Sequence, residues 1–97
     1  MLEIEQITKI AVEALEDIKG DDIQVIDTTN LSALFSKMIV CTGSSNRQVK
    51  ALAGSVIRSF KDNNIDIIGS EGEASGEWVL VDSGDIVVHI MLPQVRT

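Results

Sequence analysis

The sequence predicts an α/β domain: one mixed β-sheet of about five strands, with helices packed on one face. Three observations predict it. Two stretches carry apolar residues spaced by threes and fours, the signature of one-sided helices. Five short runs are rich in Ile, Val and Leu, as strands are. The elements follow one another as α-β-β-α-β-β-β, with no repeat, linker or low-complexity tract between them. Each helix is apolar on one side only, so each needs the sheet to cover that side. A single sheet with both helices on one face satisfies both and leaves the other face partly open. At 97 residues the chain is expected to be one domain, 1–97.

The first helix is expected over Glu3 to Lys19, where Ile4, Ile7, Ala11, Ala14, Leu15 and Ile18 share a face. Glu3 and Glu5 at its start and Lys19 at its end suit the helix dipole, and Gly20 is the expected C-terminal cap. Glu13, Glu16 and Asp17 form its solvated side. Asp22 to Asp27 is a strand around Ile23, Val25 and Ile26, and Thr28 to Ser32 is a polar connection. Leu34 to Thr42 is nearly continuous in apolar residues, which suggests a central strand buried on both faces. Gly43-Ser44-Ser45-Asn46 supplies turn and cap residues. Val49, Leu52, Ala53, Val56 and Phe60 then mark a second helix reaching Asp62, ended by Asn63-Asn64. Ile65 to Gly69 reads as a short strand or an extended lead-in, and residues 71–76, Glu71 to Gly76, as a loop. Glu77 to Asp82 and Asp85 to Leu92 are strands joined by a tight turn, and Pro93 stops the last.

Strand alternation divides this hairpin. Val79, Val81, Ile86, Val88 and Ile90 are expected to face the helices. Trp78, Asp82, Asp85, His89 and Met91 then fall on or near the open face.

Composition narrows the function. An apolar share of 44% is too high for disorder, and with only Phe35, Phe60 and Trp78 as aromatics the core must be aliphatic. Fifteen acidic against eight basic residues give a net charge of −7. That charge disfavours direct DNA binding and suits a basic partner, although it also serves mere solubility. Cys41, the sole cysteine, allows no internal disulfide and sits in an apolar run as a buried thiol. The start Met1-Leu2-Glu3-Ile4-Glu5 lacks a basic signal-peptide region, and no apolar run approaches the ~20 residues of a membrane span. A cytoplasmic protein with no membrane partner is expected.

The candidate chemistry is sparse. Gly43-Ser44 opens a helix after an apolar strand, where backbone N–H groups can hold a phosphate. A nucleotidyltransferase would use such a turn, but it also needs an Asp-x-Asp or Asp-x-Glu pair on a following strand to hold Mg²⁺. No such pair is present there; Glu71-Gly72-Glu73 has the spacing in a loop, and a capped helix start explains Gly43-Ser44. His89 is the lone histidine, and only Cys41 could join it at a metal, so no catalytic, cofactor or metal site is expected. A strand histidine of structural or interface role explains it. Trp78 is either core or an interface anchor. Asp82 and Asp85 are either turn formers or acceptors for Arg and Lys.

The segment Cys41-Thr42-Gly43-Ser44-Ser45-Asn46-Arg47-Gln48-Val49, the pair Glu71-Gly72, and the run from Trp78 to Met91 together resemble the ribosomal silencing factor family, also called Iojap-like. The resemblance covers essentially the whole chain in order and spacing. It implies a nucleotidyltransferase-like fold without the catalytic carboxylates, in agreement with the missing pair. It also implies a non-enzymatic repressor that binds the large ribosomal subunit through its basic fourteenth-numbered protein. Bound there, such a factor sterically blocks joining of the small subunit and lowers translation under nutrient limitation. The matching motif positions are Glu71, Gly72, Trp78, Asp82, Gly84, Asp85, His89 and Met91. In this reading Trp78 and Met91 give apolar contact area, Glu71, Asp82 and Asp85 meet Arg or Lys, Gly84 permits the turn, and His89 makes an interface hydrogen bond. Family members continue past the His-x-Met strand into a further helix, which this chain, ending at Thr97, is expected to lack. Apolar sheet surface left open in that way could pair with itself, making a homodimer of the free protein one expected state. The rival reading remains a small nucleotidyltransferase using Gly43-Ser44.

Overall fold

A computed structural model describes residues 2–29 and 36–96. Its elements are α1 (Ile4–Asp17), β1 (Asp21–Asp27), β2 (Lys37–Thr42), α2 (Asn46–Asp62), β3 (Gly69–Glu71), β4 (Trp78–Asp82), β5 (Ile86–Met91) and α3 (Pro93–Arg96). The five strands form one sheet in the order β1-β2-β5-β4-β3. Only the β2–β5 pair is parallel, so the sheet is mixed as the element order predicts. Leu34 and Phe35, placed by sequence at the start of the second strand, lie outside the described residues, as do Asn30 to Ser32 of the preceding connection.

Both long helices cover the same sheet face. Ala11, Ala14 and Leu15 of α1 and Val49, Leu52, Ala53, Val56 and Phe60 of α2 meet Ile39, Cys41, Val79, Val81, Ile86, Val88 and Ile90 in one core. The expected inward set of the hairpin is therefore fully buried. The two helices are also tied together, because buried Ser55 Oγ donates to the Ala14 carbonyl at 2.9 Å. β2 is interior to the sheet, but only one of its faces is fully buried. Ile39 and Cys41 point at the helices, whereas Met38 and Val40 are half-buried on the side that no helix among the described residues covers.

Two sequence expectations need correction. The left-handed residue ending α1 is Lys19 (φ 60°), not Gly20. Gly20 N–H donates to the Leu15 carbonyl and Lys19 N–H to the Glu16 carbonyl, a Schellman closure with a lysine where glycine is usual. Gly20 is small for another reason: an added Cβ would lie 2.5 Å from Cys41 Sγ. Asn64 (φ 58°) closes α2 in the same manner, with Ile65 N–H on the Phe60 carbonyl. Of the two readings of Ile65 to Gly69 the lead-in holds, since the third strand begins only at Gly69; Glu71 then pairs with Leu80 inside the sheet and is no loop residue. The last strand ends before Pro93, as expected, and Pro93 opens the short α3, where its missing N–H costs nothing. Arg96 at the end of α3 donates to the Asp22 carbonyl and Thr42 Oγ1, both at 2.6 Å, pinning the segment to the bulged end of β1.

Gly20→Ala is expected to destabilise the domain by about 1–3 kcal/mol through overpacking. Adding Cys41→Ala removes the colliding sulfur, so denaturant unfolding of the double variant should show less loss than the two single variants summed. Plain additivity would mean that Gly20 and Cys41 are not in contact.

Candidate functional site

The β4–β5 hairpin builds the uncovered face. Antiparallel pairing sets Trp78 opposite Met91, Leu80 opposite His89, and Asp82 opposite Val87, and each pair shares a face. On the far side of β5, Val87 neighbours Met38, His89 neighbours Val40, and Met91 neighbours Thr42. The register is set at the turn. Gly84 (φ 98°) is the first of two central residues, the Gly-first pattern that fits strand twist. Asp82 Oδ1 accepts the Gly84 N–H at 2.8 Å, and Ser83 N–H and Oγ both donate to the Ile86 carbonyl.

Trp78 is 51% exposed, so the indole is on the surface and not in the core. It is nevertheless held. Its Nε1–H donates to His89 Nδ1 at 3.0 Å, and the ring centroids are 5.8 Å apart. A nitrogen that accepts must be unprotonated, which places the imidazole proton on Nε2. Burial pushes the His89 pKa below its ordinary value, in keeping with the neutral ring. His89 Nδ1 is thus engaged inside the chain.

Glu71 and Gly72 join this cluster from β3. With Trp78 and Leu80 they line a groove of about 340 Å³. Gly72 has φ 85°, and a Cβ there would collide with the Trp78 carbonyl, so the chain can pass beside the tryptophan only as glycine. Met91 is buried at the foot of Trp78. The next residue, Leu92, donates its N–H to the Glu77 carbonyl at 3.0 Å and belongs to the helix-side core.

The structure brings Glu71, Trp78, His89 and Met91 together. Asp82 is on the same face, but one of its carboxylate oxygens belongs to the turn. Asp85 is separate: it precedes β5 and lines a cleft of about 630 Å³ with Leu2, Gln6, Asn63 and Asp66, where α1 begins and α2 ends. Leu80 was not singled out from sequence, yet it sits in the middle of the cluster. Its place in the alternation with Trp78 and Asp82 was the available signal.

The Gly43-Ser44 turn is occupied from within. Gln48 Oε1 accepts the Ser44 N–H at 2.6 Å and its hydroxyl at 2.8 Å, while Gln48 Nε2 donates to the Ile18 and Lys19 carbonyls. Ser45 is the N-cap, accepting Gln48 N–H. An added Cβ on Gly43 would lie 2.6 Å from Val49, so packing explains this glycine. Burial pushes the Cys41 thiol up to about 11, which keeps it protonated and unreactive at neutral pH.

With this geometry, comparison with known proteins is decisive. Residues 2–97 match the family model described as "Ribosomal silencing factor during starvation". The chain belongs to the ribosomal silencing factor family. It is 64% identical over 95 residues to the ribosomal silencing factor RsfS of Chromobacterium violaceum, covering 98% of this chain and 78% of that one. The RsfS of Haemophilus influenzae is 37% identical over 90 residues, covering 93% and 88%. A crystal structure of a Chromobacterium violaceum protein, 64% identical, superposes with a TM-score of 0.97 over 98% of this chain and 79% of that one. The fold with its single mixed sheet is therefore that of solved relatives. Members of this family are named as regulatory factors.

Gly72→Ala is expected to cost about 1–3 kcal/mol, because it meets both a forbidden φ and the Trp78 carbonyl. Gly54→Ala on α2, where an added Cβ meets nothing within 4 Å, is the control and should stabilise the helix by roughly 0.5–1 kcal/mol. Thermal unfolding of both checks the pair; equal tolerance would mean that Gly72 does not pass so close to Trp78.

Proposed function

We propose that this chain binds the large ribosomal subunit through the open sheet face around Trp78 and blocks joining of the small subunit, repressing translation in the cytoplasm when nutrients are limiting. The contact is with the subunit's basic fourteenth-numbered protein. Family membership supports the ribosome as the partner. The observation that carries the choice of surface is Trp78: half exposed, on a face that no helix among the described residues covers, and hydrogen-bonded to His89. A tryptophan in this setting has the properties of a binding hot spot, a large apolar area with little conformational freedom left to lose. Glu71 beside it and the net charge of −7 suit a basic surface. The factor acts by occupying space and needs no catalytic group.

Co-sedimentation with isolated subunits tests this. The protein should pellet with large but not small subunits, and less so at high salt. Trp78→Ala should weaken binding by at least about tenfold. Glu71→Lys should weaken it and flatten the salt dependence, and is a cleaner charge probe than Asp82→Lys, which would also break the turn. Well-folded protein that stays in the supernatant, or a Trp78→Ala variant that pellets like the wild type, would overturn the proposal.

A further inference from the structure

We infer that His89 is a positioning residue for Trp78, and that protonation of its imidazole unlatches the tryptophan and switches off the docking face. The inference rests on that face being the docking surface, and it concerns how the surface is set and regulated.

The two residues are diagonal cross-strand neighbours. Trp78 faces Met91, and His89 is two residues earlier on β5, opposite Leu80. Without the hydrogen bond, a half-exposed indole at the start of a strand would have rotamers to choose from. With Nε1–H on His89 Nδ1 it has one, and the π-face is left for a partner. A partner then meets an indole whose N–H is already satisfied, so ordering it on binding costs little. Leu80 and Val40 flank the imidazole on the neighbouring strands, which fixes the ring that fixes the tryptophan.

The latch works in only one protonation state. An imidazolium carries N–H on both nitrogens and cannot accept from the indole. Two donors would face each other across 3.0 Å, and the bond would open. Among the described residues the other charged groups at this face are Asp82, Glu71 and Arg96, the last paired with Asp22 at 3.5 Å. β4 contributes Asp82, which is engaged by Gly84 N–H. β3 contributes Glu71, opposite Leu80, and α3 sends Arg96 to Thr42. β2 contributes Met38, Val40 and Thr42, none of which titrates. Burial lowers the His89 pKa from 6.5. The unfolded chain then binds the proton more readily than the folded one. Stability from the neutral latch is therefore complete above pH 6.5 and is lost as pH falls through the lowered folded value. A basic partner adds to the effect, since it meets a new positive charge beside Trp78.

Trp78 is the sole tryptophan, so its emission reads the latch directly in the free protein. Emission is followed from about pH 8 to about pH 5, the range in which histidine titrates, alongside ¹⁵N signals of the His89 ring. The expected result is an Nε2-protonated ring at high pH and one red-shift of emission with the midpoint of His89. His89→Gln keeps a side-chain acceptor that does not titrate there. It should retain the wild-type emission at pH 8, lose the acid step, and bind large subunits more tightly than His89→Leu does. His89→Leu keeps the packing without an acceptor. It should show the red-shifted emission at every pH and bind about tenfold more weakly. Emission indifferent to His89 titration, or a folded His89→Leu variant that emits like the wild type, would overturn the inference. If emission follows His89 but no form pellets with subunits, the latch stands and the docking reading falls.

Discussion

The structure depends on the two-sidedness of β5. This strand lies between β2 and β4, and its residues alternate between the helix-covered core and the other face of the sheet. Ile86, Val88 and Ile90 are completely buried against α1 and α2, while Val87, His89 and Met91 point to the uncovered face. A slip of one residue would exchange the sets, placing an imidazole in an aliphatic core and exposing three branched side chains. The Gly84 turn on one side and the parallel pairing with β2 on the other hold that register. The core and the candidate site are thus opposite faces of one strand, and neither can be altered in register without the other.

Covering only one face gives a small aliphatic protein its surface tryptophan. The helix-facing side is filled by Leu15, Leu52, Val56 and Phe60. Trp78 points the other way, and its polar edge finds a partner in His89. An exposed aromatic ring with its N–H satisfied and its body fixed costs little to desolvate and little to order. Glu71 and Gly72 approach from β3 because glycine alone tolerates the backbone angle and the contact with the Trp78 carbonyl. Near the other end of this face, Asp82 holds the turn, which separates a carboxylate that shapes the site from one that is free to meet a partner.

Much of this was legible in the chain. The spacing of Val49, Leu52, Val56 and Phe60 and the alternation from Trp78 to Met91 each report a periodicity enforced by burial, so helices, hairpin and inward set follow from them. The sequence was less informative where backbone conformation and packing act through different residues. Gly20 reads as a helix cap, yet Lys19 takes the left-handed angle and Gly20 gives way to Cys41. Glu71 reads as loop because glycines surround it, although pairing with Leu80 draws it into the sheet. Such contacts lie between residues far apart in the chain, and local pattern carries no trace of them.

Residue order alone specifies the succession from α1 to β5, the single mixed sheet and the family, because periodic burial and a long specific motif are properties of that order. Which motif residues form one site is set by strand pairing. Glu71 and Trp78 become neighbours when β3 pairs with β4, and Asp85 is carried away to the cleft beside Leu2 and Asn63. Strand pairing also sets the chemistry of His89: whether an imidazole accepts or donates depends on which atom lies 3.0 Å from it, and that is fixed by strand register and not by its place in the chain.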